Sequence, residues 1–207
     1  MLFPIYCALC DRLLSGREED LCAFCRPRVR ISCLRFENGV APFPYRGIWR
    51  DAVRRFKYSG RAEYAGFFAK SIVCALAENH TGAPWRPDVL VPVPVHPDRF
   101  RERGYNQAEE LAKKLSNMLH VPCETGLVIR VKNTRPQNGL APEQRKENVR
   151  HAFALKKSAA VPAKVLLVDD IHTTGSTRRE LEKLLYGCGV REIRMVCICL
   201  ASPQEHV

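Results

Sequence analysis

The segment Val165-Leu-Leu-Val-Asp-Asp-Ile-His-Thr-Thr-Gly-Ser-Thr177 decides how we expect this chain to fold. Four apolar residues run into Asp169 and Asp170, a turn of small residues follows, and leucines then recur at helical spacing over residues 181–185. This pattern predicts a buried parallel strand, a tight loop and the start of a helix. Ligands of open α/β sheets bind at the carboxyl ends of such strands, so we expect the functional site here.

The chemistry of this turn favours a ligand that carries phosphate and hydroxyl groups. Backbone N–H groups at a helix N-terminus attract a phosphate, and the helix dipole adds to that attraction. The carboxylates of Asp169 and Asp170 could bind hydroxyls or a hydrated Mg²⁺. The segment therefore predicts a ligand with a phosphate, vicinal hydroxyls and a metal-bound diphosphate.

The composition is that of a folded protein with one α/β domain and a small attachment. The chain has 207 residues, of which 46% are hydrophobic and 27% are charged, so it can bury a core. No apolar run approaches the roughly 18–20 residues that span a bilayer. Residues 1–6 lack the basic and apolar regions of a signal peptide. We therefore expect a cytoplasmic protein without membrane insertion.

The charge balance is strongly basic. Lysine and arginine number 33 against 22 acidic residues, a net charge of +11. A charge of this size indicates contact with nucleic acid or another polyanion. The alternatives are that it only keeps the protein soluble, or that it serves a multiply phosphorylated small ligand.

Two CxxC pairs lie near the N-terminus. Cys7 and Cys10 form the first, and Cys22 and Cys25 form the second, after a gap of eleven residues. Two such pairs complete a tetrahedral four-sulfur site for structural Zn²⁺. The alternative is a pair of redox dithiols, which the absence of a surrounding βαβ pattern makes less favourable. We predict a four-cysteine zinc ribbon over residues 1–35, with the α/β domain over residues 36–207.

Basic residues follow the second cysteine pair and recur at the end of a predicted helix. Arg26 and Arg28 come directly after Cys25 and are either a nucleic-acid surface or part of a knuckle that only stiffens the terminus. Lys57, Tyr58 and Arg61 lie together at the end of the helix predicted over residues 48–57, and are either a solvated basic end or a contact to phosphate or a base.

A second strand end carries further arginines. Residues 88–95 predict a buried strand that breaks at its prolines, and the loop after it holds Arg99, Arg101 and Arg103. The planar arginine fork suits diphosphate, so this loop predicts a second anion site. The long polar stretch over residues 132–150 is typical of a lid or binding loop, or of a disordered segment.

The motif set resembles a known family. The signature of nicotinamide-binding proteins and that of P-loop nucleoside triphosphatases are both absent. Asp169-Asp-x-x-Thr-Thr-Gly-x-Thr177 resembles the signature by which type I phosphoribosyltransferases bind 5-phosphoribosyl-1-diphosphate (PRPP). The whole chain resembles the ComF family through the cysteine pairs and through Lys57-Tyr-Ser-Gly-Arg61, Pro92-Val-Pro94, Arg103-Gly-Tyr-Asn-Gln-Ala108, Gln137-Asn138 and Arg145-Lys-Glu-Asn148.

The resemblance implies a fold and a set of site residues. The fold would be a type I phosphoribosyltransferase-like parallel sheet flanked by helices, with the small zinc segment attached. Asp169 and Asp170 would hold the ribose hydroxyls, and Val95, His96 and Arg99 would meet the diphosphate with Mg²⁺. The 5′-phosphate would be wrapped by Thr173, Thr174, Gly175, Ser176 and Thr177.

Two functions follow from the resemblance. The first is a PRPP-binding protein of DNA uptake or natural transformation that binds single-stranded DNA, with other competence or recombination proteins as further partners. Its nucleic-acid contacts are expected at Arg26, Arg28, Lys57, Tyr58, Arg61, Arg101 and Arg103. The alternative is an active phosphoribosyltransferase with an unknown acceptor, whose candidate catalytic residues are Asp169, Asp170, Lys132, Arg145 and Lys146. A scaffold with a dead site is disfavoured by the intact acid pair and turn.

Overall fold

A mostly parallel six-stranded sheet forms the centre of the protein. The computed structural model describes residues 4–78, 85–134, 142–156 and 161–201, without the side chains of residues 142, 145 and 146. Its strands are β1 (Leu34–Phe36), β2 (Gly39–Ala41), β3 (Phe43–Pro44), β4 (Val89–Pro92), β5 (Val128–Arg130), β6 (Phe153–Leu155), β7 (Lys164–His172) and β8 (Glu192–Leu200). The sheet runs β1-β2-β8-β7-β4, and β3 also pairs with β8.

Strand directions place one edge of this sheet in position for a site. Strands β2, β3 and β7 each pair with β8 in parallel, and β4 pairs with β7 in parallel. Only β1 runs antiparallel within the sheet, against β2. The β5 and β6 strands form a separate antiparallel pair. The carboxyl ends of β4 and β7 therefore open at the same edge, as the sequence predicts.

Helices cover both faces of the sheet. They are α1 (Gly47–Tyr58), α2 (Ala65–Glu78), α3 (Pro97–Arg103), α4 (Gln107–Leu119), α5 (Pro142–Val149) and α6 (Ser176–Gly187). The side chains of β7 alternate, so that Leu166 and Val168 pack with α1, α2 and α4 while Val165 and Leu167 pack with α6 and the β5–β6 pair. None of the helices in the described part of the chain has the length and apolarity to cross a membrane.

Two stretches expected to be loops contain helices. The arginine-bearing stretch after β4 forms α3, because Pro97 opens it, the His96 side chain accepts a hydrogen bond from the Asp98 N–H, and Gly104 ends it with a left-handed φ of 78°. The polar stretch over residues 132–150 contains α5. Helix α1 begins and ends within one residue of the prediction.

The cysteine-rich segment shares its apolar core with the α/β domain. Leu9 and Leu21 belong to the same buried cluster as Phe56, Tyr64 and Phe68. Contacts between the two parts are extensive, so the boundary at residue 35 stays a prediction.

Asp11 is the polar centre of this contact. Its carboxylate accepts hydrogen bonds from Arg61 Nε at 2.8 Å and from the Tyr64 hydroxyl at 2.6 Å. The Arg61 guanidinium also lies 3.5 Å from the centre of the Tyr6 ring. Burial raises the pKa of Asp11, but the hydrogen bonds from Arg61 and Tyr64 outweigh it and bring the pKa below its ordinary value. Arg61 therefore docks the cysteine segment onto the domain.

We expect Asp11→Asn to lower the free energy of unfolding by about 1–3 kcal/mol, because Arg61 loses its counter-charge in a partly buried contact. Asparagine tolerates the positive φ of 59° at this position. Urea unfolding of the metal-loaded protein measures the change. The control is Asp51→Asn, whose exposed ion pair with Arg50 spans 3.6 Å and should be worth less than about 0.5 kcal/mol. Equal losses in the two variants would contradict the docking role.

Candidate functional site

A cleft opens where β4 and β7 end. Its walls come from the end of α1, the stretch after β4 with α3, the start of α4, the end of β5, the β7–α6 turn and Met195 of β8. The charged side chains that line it include Lys57, Arg99, Arg103, Arg130, Asp169 and Asp170. The cleft thus combines an acid pair with a group of cations.

The acid pair is held by a lysine from α1. Lys57 Nζ lies 2.9 Å from Asp170 Oδ2, and both side chains are largely buried. The Asp169 carboxylate accepts a hydrogen bond of 2.8 Å from the backbone N–H of Asp170. Lys57 was expected at a nucleic-acid surface, and the structure instead places it inside the cleft.

Burial shifts the pKa values of Asp169 and Lys57. Burial and, next, the neighbouring Asp170 carboxylate raise the pKa of Asp169 to about 7, against the opposing effects of Lys57 and Arg130. Burial alone would lower the pKa of Lys57, but the Asp170 carboxylate reverses this and the pKa stands above its ordinary value. Lys57 is therefore held by Asp170 at the cleft, and Asp169 is the carboxyl whose pKa lies near neutrality.

The turn between β7 and α6 forms the second wall. Gly175 takes a left-handed φ of 73°, and a Cβ atom there would lie 3.0 Å from the Arg179 side chain and 3.3 Å from the His172 ring. The Thr174 and Ser176 hydroxyl oxygens are 2.9 Å apart. Thr173, Gly175, Ser176 and Thr177 all line the cleft. A twelve-residue helix begins at Ser176, so its positive dipole end faces the cleft.

His172 also lines the cleft, and its ring carries no charge at physiological pH. Its ring stacks on Phe36 with centroids 3.9 Å apart. Burial and the nearby Arg178 and Arg179 lower the pKa of His172 to about 4. The ring is therefore neutral at physiological pH and serves packing.

Three arginines face the acid pair. Arg99 donates to the Thr134 carbonyl at 2.7 Å, Arg130 donates to the Thr134 hydroxyl, and Arg103 donates to Gln107 Oε1 at 2.9 Å. Burial lowers the pKa of Arg99, and Arg103 adds to the effect. Burial and repulsion from Arg99 lower the pKa of Arg130 to about 10. No carboxylate in the described part of the chain forms an ion pair with any of these three arginines, so together they form a site for an anion.

The remaining residues predicted after β4 divide between this site and the surface. Val95 lines the cleft beside Arg99. His96 uses Nδ1 to accept a hydrogen bond of 3.2 Å from the Asp98 N–H, so it caps α3. Arg101 is exposed and pairs with Asp98. Of the three arginines in this stretch, Arg99 and Arg103 are brought to the cleft and Arg101 is not.

The candidate nucleic-acid residues lie in two places. Tyr58 is 59% exposed beside the cleft, and the Arg103 guanidinium lies 4.8 Å from its ring centre. Arg26 and Arg28 form an exposed turn after Cys25, where Arg28 lies 3.5 Å over the ring of Phe24. Phe24 is 63% exposed. The cysteine segment therefore presents an exposed aromatic ring with the Arg28 guanidinium over one face.

Three candidate catalytic residues, Lys132, Arg145 and Lys146, belong to the polar stretch over residues 132–150. Lys132 is exposed, two residues after Arg130. The side chains of Arg145 and Lys146, and the Gln137-Asn138 motif, lie outside the described residues.

The four paired cysteines converge as predicted. Their sulfur atoms all lie within 4.8 Å of one another, and Cys10 Sγ and Cys22 Sγ are 3.7 Å apart. The N–H of Cys22 also points at Cys7 Sγ, at 3.4 Å. A tetrahedral four-thiolate zinc site with bonds of about 2.3 Å requires sulfur atoms about 3.8 Å apart. The cluster therefore has the dimensions to hold a metal ion.

Sequence reasoning missed two functional contacts, the Lys57–Asp170 pair and Arg130. A signal for Lys57 was present, because it lies four residues after Val53, which is buried, and so points to the same side of α1. Arg130 stands at the carboxyl end of β5, a position that resembles those of the arginines after β4. No local pattern in the sequence shows that β5 approaches the cleft.

We expect the stability of the protein to depend on pH through Asp169. Its pKa is raised on folding, so its contribution to the free energy of unfolding is greatest at low pH and is lost as the pH rises through about 7. Asp169→Asn keeps an oxygen for the Asp170 N–H and removes this titration. Between about pH 5.5 and 8, the variant should lose less stability than the wild type in urea unfolding. Parallel curves would show that Asp169 ionises as it does in the unfolded chain.

Comparison with known proteins agrees with this geometry. Residues 68–206 match the family model described as the phosphoribosyl transferase domain. Together with the observed sheet and flanking helices, this match establishes the type I phosphoribosyltransferase fold predicted from the sequence. A purine phosphoribosyltransferase from Pyrococcus horikoshii has a TM-score of 0.39 and 19% identity, over 65% of this chain and 71% of that one.

Two curated relatives carry names from DNA uptake and use. Competence protein F of Haemophilus influenzae is 37% identical over 146 residues, which are 69% of this chain and 64% of that protein. DNA utilization protein YhgH of Escherichia coli K12 is 32% identical over 93% of this chain and 89% of that protein. The chain thus spans less than two thirds of the first relative and nearly all of the second.

Proposed function

The chain belongs to the ComF family, and we propose that it binds PRPP and single-stranded DNA and acts in DNA uptake or utilisation. The names of its relatives support the biological role. The observation that carries the ligand is the cleft, in which an acid pair lies between a helix N-terminus and three arginines.

PRPP fits the cleft group by group. The start of α6 and the turn of Thr173, Thr174, Gly175, Ser176 and Thr177 take the 5′-phosphate, since anions are stabilised at a helix N-terminus. Asp169 and Asp170 accept hydrogen bonds from the ribose hydroxyls. Arg99, Arg103 and Arg130 face the diphosphate, with Val95 beside them. His96 orients this stretch by capping α3.

Lys57 prepares the acid pair for such a ligand. Two buried carboxylates without a cation would repel each other and take up a proton. The ammonium of Lys57, 2.9 Å from Asp170, offsets this repulsion. The carboxylate oxygens can then accept hydrogen bonds from the ribose hydroxyls.

The proposal includes two metal ions, Mg²⁺ in the cleft and Zn²⁺ at the cysteine cluster. Carboxylate oxygens such as those of Asp169 and Asp170 suit Mg²⁺, and Mg²⁺ bound with PRPP would neutralise charge on the diphosphate. The cysteine cluster suits structural Zn²⁺, whose binding would supply folding energy to a segment with little core of its own. We retain the division into a zinc ribbon over residues 1–35 and a phosphoribosyltransferase-like domain over residues 36–207.

The surface of the zinc ribbon is the proposed DNA contact. Phe24 offers a face on which a base can stack, and Arg26 and Arg28 can contact adjacent phosphates. Tyr58 with Arg103, beside the cleft, and the exposed Arg101 are a second set of the same kind. Arg61 and Lys57 are removed from the proposed set, because their ion pairs with Asp11 and Asp170 are partly buried, whereas the Arg101–Asp98 pair is exposed.

A catalytic role is the second candidate, and the pKa of Asp169 favours it. A carboxyl with a pKa of about 7 is suited to accept a proton from an acceptor's nucleophile. That nucleophile would attack C1 of the ribose, the bond from C1 to the diphosphate oxygen would break, and the diphosphate would depart. The cleft arginines would stabilise its charge, together with Lys132, Arg145 and Lys146.

We expect the double variant Asp169→Asn with Asp170→Asn to bind PRPP at least about 100-fold more weakly in calorimetric titrations with Mg²⁺, because two charged acceptors are lost. The control is Asp88→Asn at the opposite end of β7, where the side chain accepts from the N–H groups of Ala163 and Lys164. An unchanged affinity in the double variant contradicts the site assignment. Diphosphate release on adding nucleobases or nucleotides to the wild type would favour the catalytic role.

We expect binding of single-stranded DNA to fall steeply with salt. Arg26→Gln with Arg28→Gln should reduce the slope of log K against log salt by about 1.4, the value for two lost phosphate contacts on a single strand. The control is Arg12→Gln, whose positive charge is paired with Glu18 at 2.7 Å in the same segment. Fluorescence anisotropy measures binding, and zinc content shows that the segment remains folded. Absence of binding at low salt rules out the DNA partner.

A further inference from the structure

A second cavity lies between the sheet and the end of α2, and Met195 of β8 lines both this cavity and the cleft. The second cavity encloses about 620 Å³, which falls within the roughly 300–1,000 Å³ typical of small-molecule sites. Its walls include Val73 and Leu76 of α2, Leu166 near the start of β7, and Val196 of β8. Leu166, and Val168 as the Cα partner of Val196, both come before Asp169 and Asp170 along β7.

Strand register turns two arginines toward this cavity. Arg35 is the Cα partner of Val40 on β2, and Arg194 is the partner of Leu166 on β7. Partners in register point to the same face of a sheet. Val40 and Leu166 both pack in the apolar cluster with α2. Arg35 and Arg194 therefore lie on the same face of the sheet as the apolar residues that pack against α2.

The positive charge of these arginines is not matched by neighbouring acids. Among the described residues, neither Arg35 nor Arg194 has a carboxylate partner, and Arg86 adds a third cation to the cavity wall. The acids nearest to these arginines in sequence are Glu37 and Glu192. Glu37 pairs with Arg178, while Glu192 accepts a hydrogen bond of 2.6 Å from Trp85 Nε1 on the cavity wall and lies 3.8 Å from Lys164 Nζ. The cavity therefore favours an anion.

Trp85 gives the cavity an aromatic wall in a fixed orientation. The hydrogen bond to Glu192 holds one edge of its indole, and the Arg194 guanidinium lies 4.6 Å from its ring centre. An aromatic residue that is already oriented loses little conformational freedom when it contacts a ligand. The wall composition thus combines aliphatic side chains, one indole and three guanidinium groups.

We propose that this cavity is a second binding site, and that it takes a small organic anion with a flat apolar body. The body lies against Val73, Leu76, Leu166 and Trp85, where its burial is favourable. The anionic group lies between Arg35 and Arg194, which bind it through charge-assisted hydrogen bonds. The site does not depend on PRPP, because none of its residues belongs to the acid pair, the β7–α6 turn or the three cleft arginines.

The test uses the full metal-loaded chain with its two tryptophans replaced by 5-fluorotryptophan, and Trp85→Phe assigns the Trp85 fluorine resonance. The probe is 2-naphthalenesulfonate, an apolar anion. We expect a saturable shift of the Trp85 resonance, with no shift at Trp49, which is stacked 3.6 Å from Phe43. Neutral 2-naphthalenemethanol, and methanesulfonate, which lacks the flat apolar body, should each bind at least about tenfold more weakly.

Variants of Arg35 and Arg194 test where the anionic group of the probe binds. Arg35→Gln with Arg194→Gln should weaken the probe about tenfold or more, while Arg191→Gln, an exposed residue outside the cavity, should leave it unchanged. The same double variant should bind PRPP as the wild type does, so failure of this site is distinguished from failure of the cleft. A Trp85 resonance that does not saturate with the probe, or that shifts equally in the double variant, overturns the proposal.

Discussion

The Lys57–Asp170 ion pair is the interaction on which the arrangement of the site depends. It brings a cation from α1 to a carboxylate at the end of β7, two elements more than a hundred residues apart in the chain. Without that cation, burial of Asp169 and Asp170 would place two like charges in a poorly solvated cleft. One ammonium therefore permits the acid pair to remain beside the helix N-terminus.

Helix α1 connects this cleft to the cysteine cluster. Near its end, Arg55 donates to the Leu9 carbonyl inside the first cysteine pair, and Lys57 reaches Asp170. Tyr58, the last residue of α1, contacts Arg103 at the mouth of the cleft. The docking of Arg61 onto Asp11 follows three residues later. The position of the cysteine segment and the position of the cleft cation are therefore set by the same short stretch of chain.

Prediction from the sequence succeeded where local patterns carry the information. The β7–turn–α6 unit was predicted from its apolar run, its acids and its small residues, and the four cysteines were predicted from their spacing. It failed where a residue acts through a distant partner. Lys57 and Arg61 were expected to contact nucleic acid. No local pattern reveals that each is paired with an acid far away in the sequence, Lys57 with Asp170 and Arg61 with Asp11. The α3 helix was missed because two prolines before it suggested a loop.

The position of β8 in the sheet has a consequence for how the chain folds. This strand pairs with β2, β3 and β7, yet it follows all other strands of the described chain in sequence. Pairing residues near 40 with residues near 196 closes a very long loop, and such nonlocal contacts slow folding. Until β8 has paired, the β1–β2 hairpin and β7 each have an unpaired strand edge. A chaperone that shields these edges would matter most in that interval, when aggregation competes with completion of the sheet.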